Sequence, residues 1–104
     1  MQFQFNTDSS IEGNEDLAAS AEETVTSALG HLCDRLSRVE VHLVDANGAK
    51  GGADDIHCTI EARPEGLRPQ TVTHADADIP AALRGGGKKI RALLESEFGK
   101  LSRR

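Results

Sequence analysis

Aromatic residues are scarce in this 104-residue chain, which has no tryptophan and no tyrosine. Its only aromatic side chains are those of Phe3, Phe5 and Phe98. Many proteins that bind single-stranded nucleic acids stack the bases on aromatic side chains, and this chain offers almost no such platform. A single hydrophobic core is feasible at this length. That core must be built from aliphatic side chains.

Cysteines and long apolar runs are also few. Only Cys33 and Cys58 are present, whereas secreted disulfide scaffolds usually carry more, so we expect two free thiols in a reducing cytoplasm. No apolar stretch approaches the roughly 18 residues of a membrane-spanning helix. Residues 1–5 lack the basic and apolar parts of a signal peptide. The sequence therefore predicts a cytoplasmic protein with no membrane partner.

Negative charge predominates, but it is unevenly distributed. The formal net charge is −5, which argues against an ordinary nucleic-acid-binding protein. Residues 1–49 contain nine acidic and two basic residues, whereas residues 80–104 contain seven basic and two acidic residues. This asymmetry predicts a basic surface confined to the C-terminal element.

Hydrophobic periodicity predicts four strands and two helices. Apolar and polar residues alternate in the strand segments, and apolar residues recur every three or four positions in the helical segments. The predicted strands cover residues 2–6, 38–45, 55–63 and 70–74, and the predicted helices cover residues 15–36 and 79–101. Asn14 and Asp78 are suited to cap the helices. Gly85, Gly86 and Gly87 interrupt the second helical pattern, so that helix either frays there or is maintained by packing.

The predicted element order, βαβββα, indicates an α+β fold in one domain over residues 1–104. A right-handed crossover sets the first two strands parallel. Hairpins make the other strands antiparallel, the first of them through a glycine-rich loop at residues 46–53. We expect a four-stranded mixed sheet with two helices packed on one apolar face and a polar opposite face.

The histidines and cysteines do not form a recognisable metal or catalytic motif. His31 and Cys33 lie two residues apart on a helix and diverge. His57 and Cys58 are adjacent on a strand and point to opposite faces, so neither pair supplies convergent zinc ligands. His42 and His57 could be cross-strand neighbours on the polar face, but a flat sheet provides no pocket that excludes water. We predict no catalytic residue, no metal site and no cofactor.

Basic residues of the last helix form the strongest candidate site. Arg84, Lys88 and Arg91 are separated by four and three residues, which places them on one helix face away from the apolar stripe. From charge alone, an ordinary solvated face and a phosphate-binding surface are equally plausible. Lys50, in a loop, and Arg63, at a strand end, could extend this surface.

Three ordered segments suggest a family. They are residues 38–43 (Arg-Val-Glu-Val-His-Leu), residues 50–63 (Lys-Gly-Gly-Ala-Asp-Asp-Ile-His-Cys-Thr-Ile-Glu-Ala-Arg), and residues 78–83 (Asp-Ile-Pro-Ala-Ala-Leu) followed by Lys89-Ile90. With these segments on a βαβββα layout, the chain resembles the ribosome hibernation-promoting factors in their short single-domain form. These proteins are also called sigma-54 modulation or ribosome-associated inhibitor proteins. The resemblance covers essentially the whole chain.

The resemblance implies a ribosome-associating domain. Such a domain would bind the small ribosomal subunit in the channel used by mRNA and tRNA and would stop translation by occupying it. The resemblance also implies that basic side chains contact ribosomal RNA phosphates. Family positions and the charge pattern together give six candidate RNA-binding residues: Lys89, Arg63 and Arg91 by resemblance, and Lys88, Arg84 and Lys50 by charge.

In a second interpretation the chain keeps this fold, but its binding to RNA is weakened or lost. Relatives often have Lys-Arg where this chain has Ile56-His57, and an excess of acids opposes electrostatic attraction to phosphates. The chain could then be a protein-interaction module that binds a protein partner through the polar sheet face or the acidic first helix. A third interpretation, an enzyme, requires a concave pocket that joins His42 and His57.

Overall fold

The computed structural model describes residues 1–46 and 56–102. Its elements are the strands β1 (Gln2–Thr7), β2 (Leu36–Asp45), β3 (Ile56–Pro64) and β4 (Gln70–Asp76), the helices α1 (Glu15–Leu29) and α2 (Ile79–Ser102), and a 3-10 segment (Gly30–Arg35). The predicted α+β class and the order βαβββα are confirmed. The glycine-rich loop predicted at residues 46–53 lies, from residue 47 onward, outside the described residues.

The four strands form one mixed sheet in the order β1-β2-β3-β4. β1 pairs with β2 in parallel, and the β2–β3 and β3–β4 pairs are antiparallel, as the crossover and the hairpins predict. Both helices pack on one face of this sheet, as predicted. No helix in the described ranges combines the length and the apolar character that crossing a bilayer requires.

The core lies between the helices and this face and is almost wholly aliphatic. Its fully buried side chains include those of Val39, Val41, Leu43, Cys58 and Ile60 from the sheet, and those of Val25, Leu29, Leu83, Ile90 and Leu94 from the helices. Phe98 is the one buried aromatic residue in the described part of the chain. The Arg35 guanidinium lies over its ring, 3.6 Å from the centroid, and adds a cation–π contact to the edge of the core.

Both predicted helix caps are present. Asn14 Oδ1 accepts a hydrogen bond from the Leu17 N–H at 2.8 Å, and Asp78 Oδ1 accepts one from the Ala81 N–H at 2.8 Å. Each bond satisfies one backbone donor that the first turn of a helix leaves without an intrahelical partner. The caps therefore fix where α1 and α2 begin.

The first helix is shorter than the sequence predicts. The prediction of one helix to Leu36 is wrong, because the α-helix stops before Gly30 and Gly30–Arg35 form a 3-10 segment. Gly30 has φ of +57°, in the left-handed region that favours glycine, and its N–H bonds to the Thr26 carbonyl. Leu32 and Leu36 remain buried beyond the break. The apolar spacing therefore continues through the 3-10 segment to the first residue of β2.

α2 runs without a break through Gly85, Gly86 and Gly87, because close packing outweighs the low helix propensity of glycine. A Cβ atom at position 85 would overlap the His74 ring on β4. A Cβ atom at position 86 would lie only 3.0 Å from Ile60 Cδ1 on β3. The glycines therefore let α2 lie directly on the sheet.

Gly87 sets the distance between the two helices. A Cβ atom at this position would lie 2.9 Å from Ala28 Cβ on α1, closer than two carbon atoms can pack. The neighbour is itself a methyl group with no rotamer to change, so only movement of a whole helix could relieve the contact. α1 and α2 can therefore approach this closely only while position 87 lacks a side chain.

We expect Gly87→Ala to lower the free energy of unfolding by about 1–2 kcal/mol, because overpacking outweighs the gain in helix propensity. Gly99→Ala is the matched control, since a Cβ atom there meets nothing within 4 Å. That substitution should stabilise the protein by about 0.5–1 kcal/mol. Urea unfolding followed by circular dichroism measures both changes. Equal stabilisation by the two substitutions would contradict the close helix contact.

Candidate nucleic-acid interface

A basic groove runs between α1 and α2. It has a volume of about 290 Å³ and is lined by Thr24, Ser27 and Ala28 of α1 and by Arg84, Lys88 and Arg91 of α2. The three basic residues line one groove because steps of four and three residues return to the same side of a helix. The groove thus places three cations opposite two hydroxyl groups.

Arg91 is held in place by both helices. Its Nη1 donates to the Ala28 carbonyl of α1 at 3.0 Å, and its Nε lies 3.4 Å from Glu95 Oε1, one turn further along α2. The bond to Ala28 satisfies a carbonyl near the end of α1, where backbone acceptors lack intrahelical partners. Arg91 therefore enters the groove with its orientation fixed, and part of its charge is balanced by Glu95.

Arg84 and Lys88 supply the uncompensated charge of the groove. Both side chains are exposed, and neither is in an ion pair within the described ranges. An acid near the groove is Asp76, the last residue of β4. The Ala77 N–H, the His74 ring and the positive charge of Arg84 all lower the pKa of Asp76 below its usual value. The groove is accordingly electropositive although the whole chain is acidic.

Lys89 lies beside the groove rather than in it. Its Nζ donates to the Thr73 carbonyl of β4 at 3.2 Å, and the side chain is otherwise exposed. One step along a helix turns the side chain by about 100°, so Lys89 points toward the β4 edge while Lys88 points into the groove. The residue that matches the family best therefore flanks the three groove cations.

Arg63 lies on the opposite side of the sheet. It is directly opposite Arg38 across the β2–β3 pair, and its Nε lies 3.3 Å from Glu61 Oε1. Both neighbours belong to the polar face that the helices leave uncovered. The structure therefore does not bring Arg63 together with the groove residues. Lys50, the remaining candidate, lies outside the described residues.

The polar face does not bring its histidines directly together. His42 is opposite Thr59 and His57 is opposite Val44, so the expected cross-strand neighbours are diagonal rather than opposed. Two cavities in the described part of the chain lie elsewhere, one between the helices and one beside β1. Within residues 1–46 and 56–102, no group of three or more His, Cys, Asp or Glu side chains is arranged to hold a metal ion.

His74 belongs to the helix side of the sheet. It is opposite the buried Cys58 across β3–β4, and its ring packs against Gly85 of α2. Its Nε2 lies 3.1 Å from Asp76 Oδ2, whereas its Nδ1 is buried without a hydrogen-bond partner. The ring therefore serves as a packing surface for α2 and faces away from the polar histidines.

The hydroxyl groups of the groove were not predicted from the sequence. Thr24 and Ser27 are three residues apart on the polar side of α1, so their shared face could be read from the sequence. Which helix face they would oppose depends on how α1 and α2 dock, and the close contact at Gly87 decides that. Glycine between two apolar stretches was the available signal, since it permits such an approach.

Two solved structures share this architecture. A ribosomal subunit interface protein from Coxiella burnetii has a TM-score of 0.76 and 12% sequence identity, covering 95% of this chain and 99% of that chain. The N-terminal domain of Protein Y from Thermus thermophilus has a TM-score of 0.72 and 16% identity, covering 92% and 98%. The chain has their fold. No family model and no curated protein matches its sequence.

The shared fold extends over almost the whole of each chain, with no large part unmatched on either side. Both neighbours are of the hibernation-promoting factor type that the ordered segments of this sequence resemble. The structural comparison thus agrees with the resemblance at the level of the fold. Sequence identities of 12% and 16% show a shared fold but not a shared function.

Cys58 is the most deeply buried titratable group of the core, with no exposed surface. Burial raises the pKa of its thiol to about 12. Since the thiolate is the reactive form, a thiol with so high a pKa is almost wholly un-ionised and unreactive at pH 8. The group therefore behaves as a small apolar side chain rather than as a nucleophile.

We expect Cys58 to resist alkylation by iodoacetamide in the folded protein at pH 8 and to react readily in urea. A Cys33→Ser background leaves Cys58 as the only cysteine, and mass spectrometry counts the modified thiols. Raising the pH toward 12 should increase the native rate as the thiolate forms, up to the pH at which the protein unfolds. Equal rates in the folded and unfolded protein at pH 8 would contradict the buried position.

Proposed function

We propose that this chain is a ribosome-associating domain of the hibernation-promoting factor family. In this proposal it binds the small ribosomal subunit in the cytoplasm and inhibits translation by occupying the channel used by mRNA and tRNA. The fold that it shares with a ribosomal subunit interface protein and with a Protein Y domain supports this proposal. The ordered sequence segments add to that support. Steric occupancy makes and breaks no bond, so the proposed mechanism needs no catalytic residue and no cofactor.

The basic groove is the observation that carries the RNA contact. Arg84, Lys88 and Arg91 line one groove with the hydroxyls of Thr24 and Ser27. Guanidinium groups bind phosphate oxygens through paired, charge-assisted hydrogen bonds, and an ammonium group adds a point charge. Serine and threonine hydroxyls also donate to phosphates in nucleic-acid complexes. The groove thus has the donor set that a phosphate of ribosomal RNA requires.

The remaining candidates have different places in this proposal. Lys89 is exposed beside the groove, and its bond to the Thr73 carbonyl can be exchanged for a bond to phosphate at little cost. Arg63 would meet a different part of the RNA, because it lies on the other face of the sheet and is paired with Glu61. Lys50 remains a candidate RNA-binding residue on the basis of the charge pattern alone.

Electrostatics limits how strong this binding can be. Three or four phosphate contacts, with the slope typical of duplex nucleic acids, reduce affinity about 40- to 150-fold between 50 and 200 mM salt. The net charge of −5 adds long-range repulsion from the RNA. We therefore expect an association that is readily detected at low salt and falls steeply as salt is added.

A protein-interaction module is the second candidate function, and the ion pairs favour it. Arg63, Arg91 and Lys100 each lie within 4 Å of an acidic side chain of their own element. The 17 acidic residues also exceed the 12 lysines and arginines. In this alternative a protein partner would bind the polar sheet face or the acidic side of α1, and the groove would be an ordinary solvated surface.

Co-sedimentation with purified 30S subunits at 50 and 200 mM salt tests the proposal. The double variant Arg84→Glu, Lys88→Glu keeps the structural bond of Arg91 and should weaken association about a hundredfold or more, because two charged hydrogen bonds are lost. The double variant Arg68→Glu, Lys100→Glu makes the same change in net charge at exposed positions outside the six candidate residues. It should retain most of the affinity and most of the inhibition of translation in a cell-free assay.

Three results would contradict the proposal. The first is that the unaltered protein does not associate with 30S subunits even at 50 mM salt, which would leave the protein-interaction module as the better candidate. The second is an equal loss in both double variants, which would indicate a general effect of charge rather than the groove. The third is undiminished binding by the groove variant.

A further inference from the structure

β1 forms one edge of the sheet. It is hydrogen-bonded to β2 on one side only, and no backbone hydrogen bond joins its outer side to another segment of residues 1–46 or 56–102. An edge strand presents a row of backbone donors and acceptors that another strand can pair with. Proteins usually protect such an edge with charged residues, proline or a bulge. β1 therefore has the backbone groups needed to accept a further strand.

The opposite edge is protected in the usual way. The ammonium group of Lys89, on α2, bonds to the Thr73 carbonyl of β4, and β4 itself ends on the charged residue Asp76. In contrast, Gln2–Thr7 contains no charged residue, no proline and no glycine. Of the two edges, only β1 lacks these devices within the described part of the chain.

The aromatic residues of β1 are half-buried at this edge. Phe3 is opposite Val39 and Phe5 is opposite Val41, so both side chains point to the helix side of the sheet. Two of the three aromatic residues in the chain are thus at one open edge. Aromatic side chains in such positions are typical of protein interfaces.

A groove accompanies the aromatic side chains. It has a volume of about 390 Å³, lies between β1 and the start of α1, and is lined by Phe5, Thr7, Gly13, Asn14, Glu15 and Ala18. A strand added beside β1 would direct alternate side chains into this groove, because residues opposite each other in a sheet share a face. The edge therefore offers both backbone pairing and a place for a side chain.

The side-chain order of β1 identifies the partner. Residues 2–6 read Gln-Phe-Gln-Phe-Asn, so the sequence polar-aromatic-polar-aromatic-polar is the same in both directions about Gln4. We propose that β1 pairs antiparallel with β1 of a second copy of this chain, with the twofold axis at Gln4. Phe3 then lies opposite Phe5 of the second copy, and Gln2 lies opposite Asn6 of the second copy.

In this register the helix-covered faces of the two sheets lie on one side of the dimer, and the two polar faces lie on the other. The phenylalanine pairs lie on the helix side, where each Phe3 reaches the groove beside the other copy's Phe5, and the amide side chains lie together on the polar face. A twofold axis gives a closed dimer with one continuous eight-stranded sheet, which leaves no free β1 edge for further growth. None of the residues that line the basic groove is in β1. The pairing is therefore independent of the proposed RNA contact.

Disulfide cross-linking tests the proposed strand register directly. In a Cys33→Ser background, Gln4→Cys places two thiols opposite each other, with Cα atoms about 4.5–5.5 Å apart and within disulfide range. We expect mild oxidation to give a covalent dimer. Gln2→Cys is the matched control, because its two thiols would be four positions apart along the strands, about 13 Å. Equal cross-linking of the two variants would overturn the proposed register.

Sedimentation velocity of the full chain at concentrations up to about 1 mM tests the association itself. We expect a concentration-dependent dimer that Gln4→Lys weakens about fivefold or more, since like charges would face each other at the axis. Thr71→Lys adds the same charge on the exposed polar face of β4 and should leave association unchanged, with circular dichroism confirming the fold of both variants. A chain that remains monomeric at about 1 mM would overturn the proposal.

Discussion

The close contact between α1 and α2 at Gly87 and Ala28 is the constraint on which the rest of the structure depends. Because position 87 has no side chain, two helices of different length fit side by side over one four-stranded sheet. The same contact sets the width of the basic groove, since Ala28 is one of its lining residues. Core and candidate site therefore share one determinant. A side chain at position 87 would disturb both.

Charge segregation explains how an acidic chain can present a cationic surface. The acids are concentrated in the first half of the sequence, and the cations of α2 have few of them nearby. At physiological salt the Debye length is about 8 Å, so distant acids act on the groove only weakly. A phosphate in the groove would respond to Arg84, Lys88 and Arg91 more than to the net charge. The excess of acids would chiefly slow the approach of RNA over longer distances.

The sequence predicted the sheet and its faces well because strand periodicity is local. Alternation in residues 55–63 puts Arg63 on the polar face with Glu61, away from the helices, although the family positions grouped it with Lys89 and Arg91. The spacing of Arg84, Lys88 and Arg91 likewise put them on one helix face before any tertiary contact was known. The end of α1 at Gly30 had a local signal in the glycine itself, which the continuing apolar spacing obscured. In contrast, the placement of the Thr24 and Ser27 hydroxyls opposite the cations of α2 depends on docking. No spacing rule contains that information.

The two edges of the sheet show how one residue can have both a structural and a functional role. Lys89 matches the family position for an RNA contact, yet its Nζ already bonds to a carbonyl of edge strand β4. A lysine that reaches an edge strand from a helix opposes uncontrolled pairing, because a second strand would have to bury its charge. In the proposed function an RNA phosphate would replace the Thr73 carbonyl as the acceptor of this ammonium group, so protection and recognition need not conflict. β1 has no such residue, and a strand that can pair with its own copy needs none, because a closed twofold pair removes the free edge that a charge would otherwise protect.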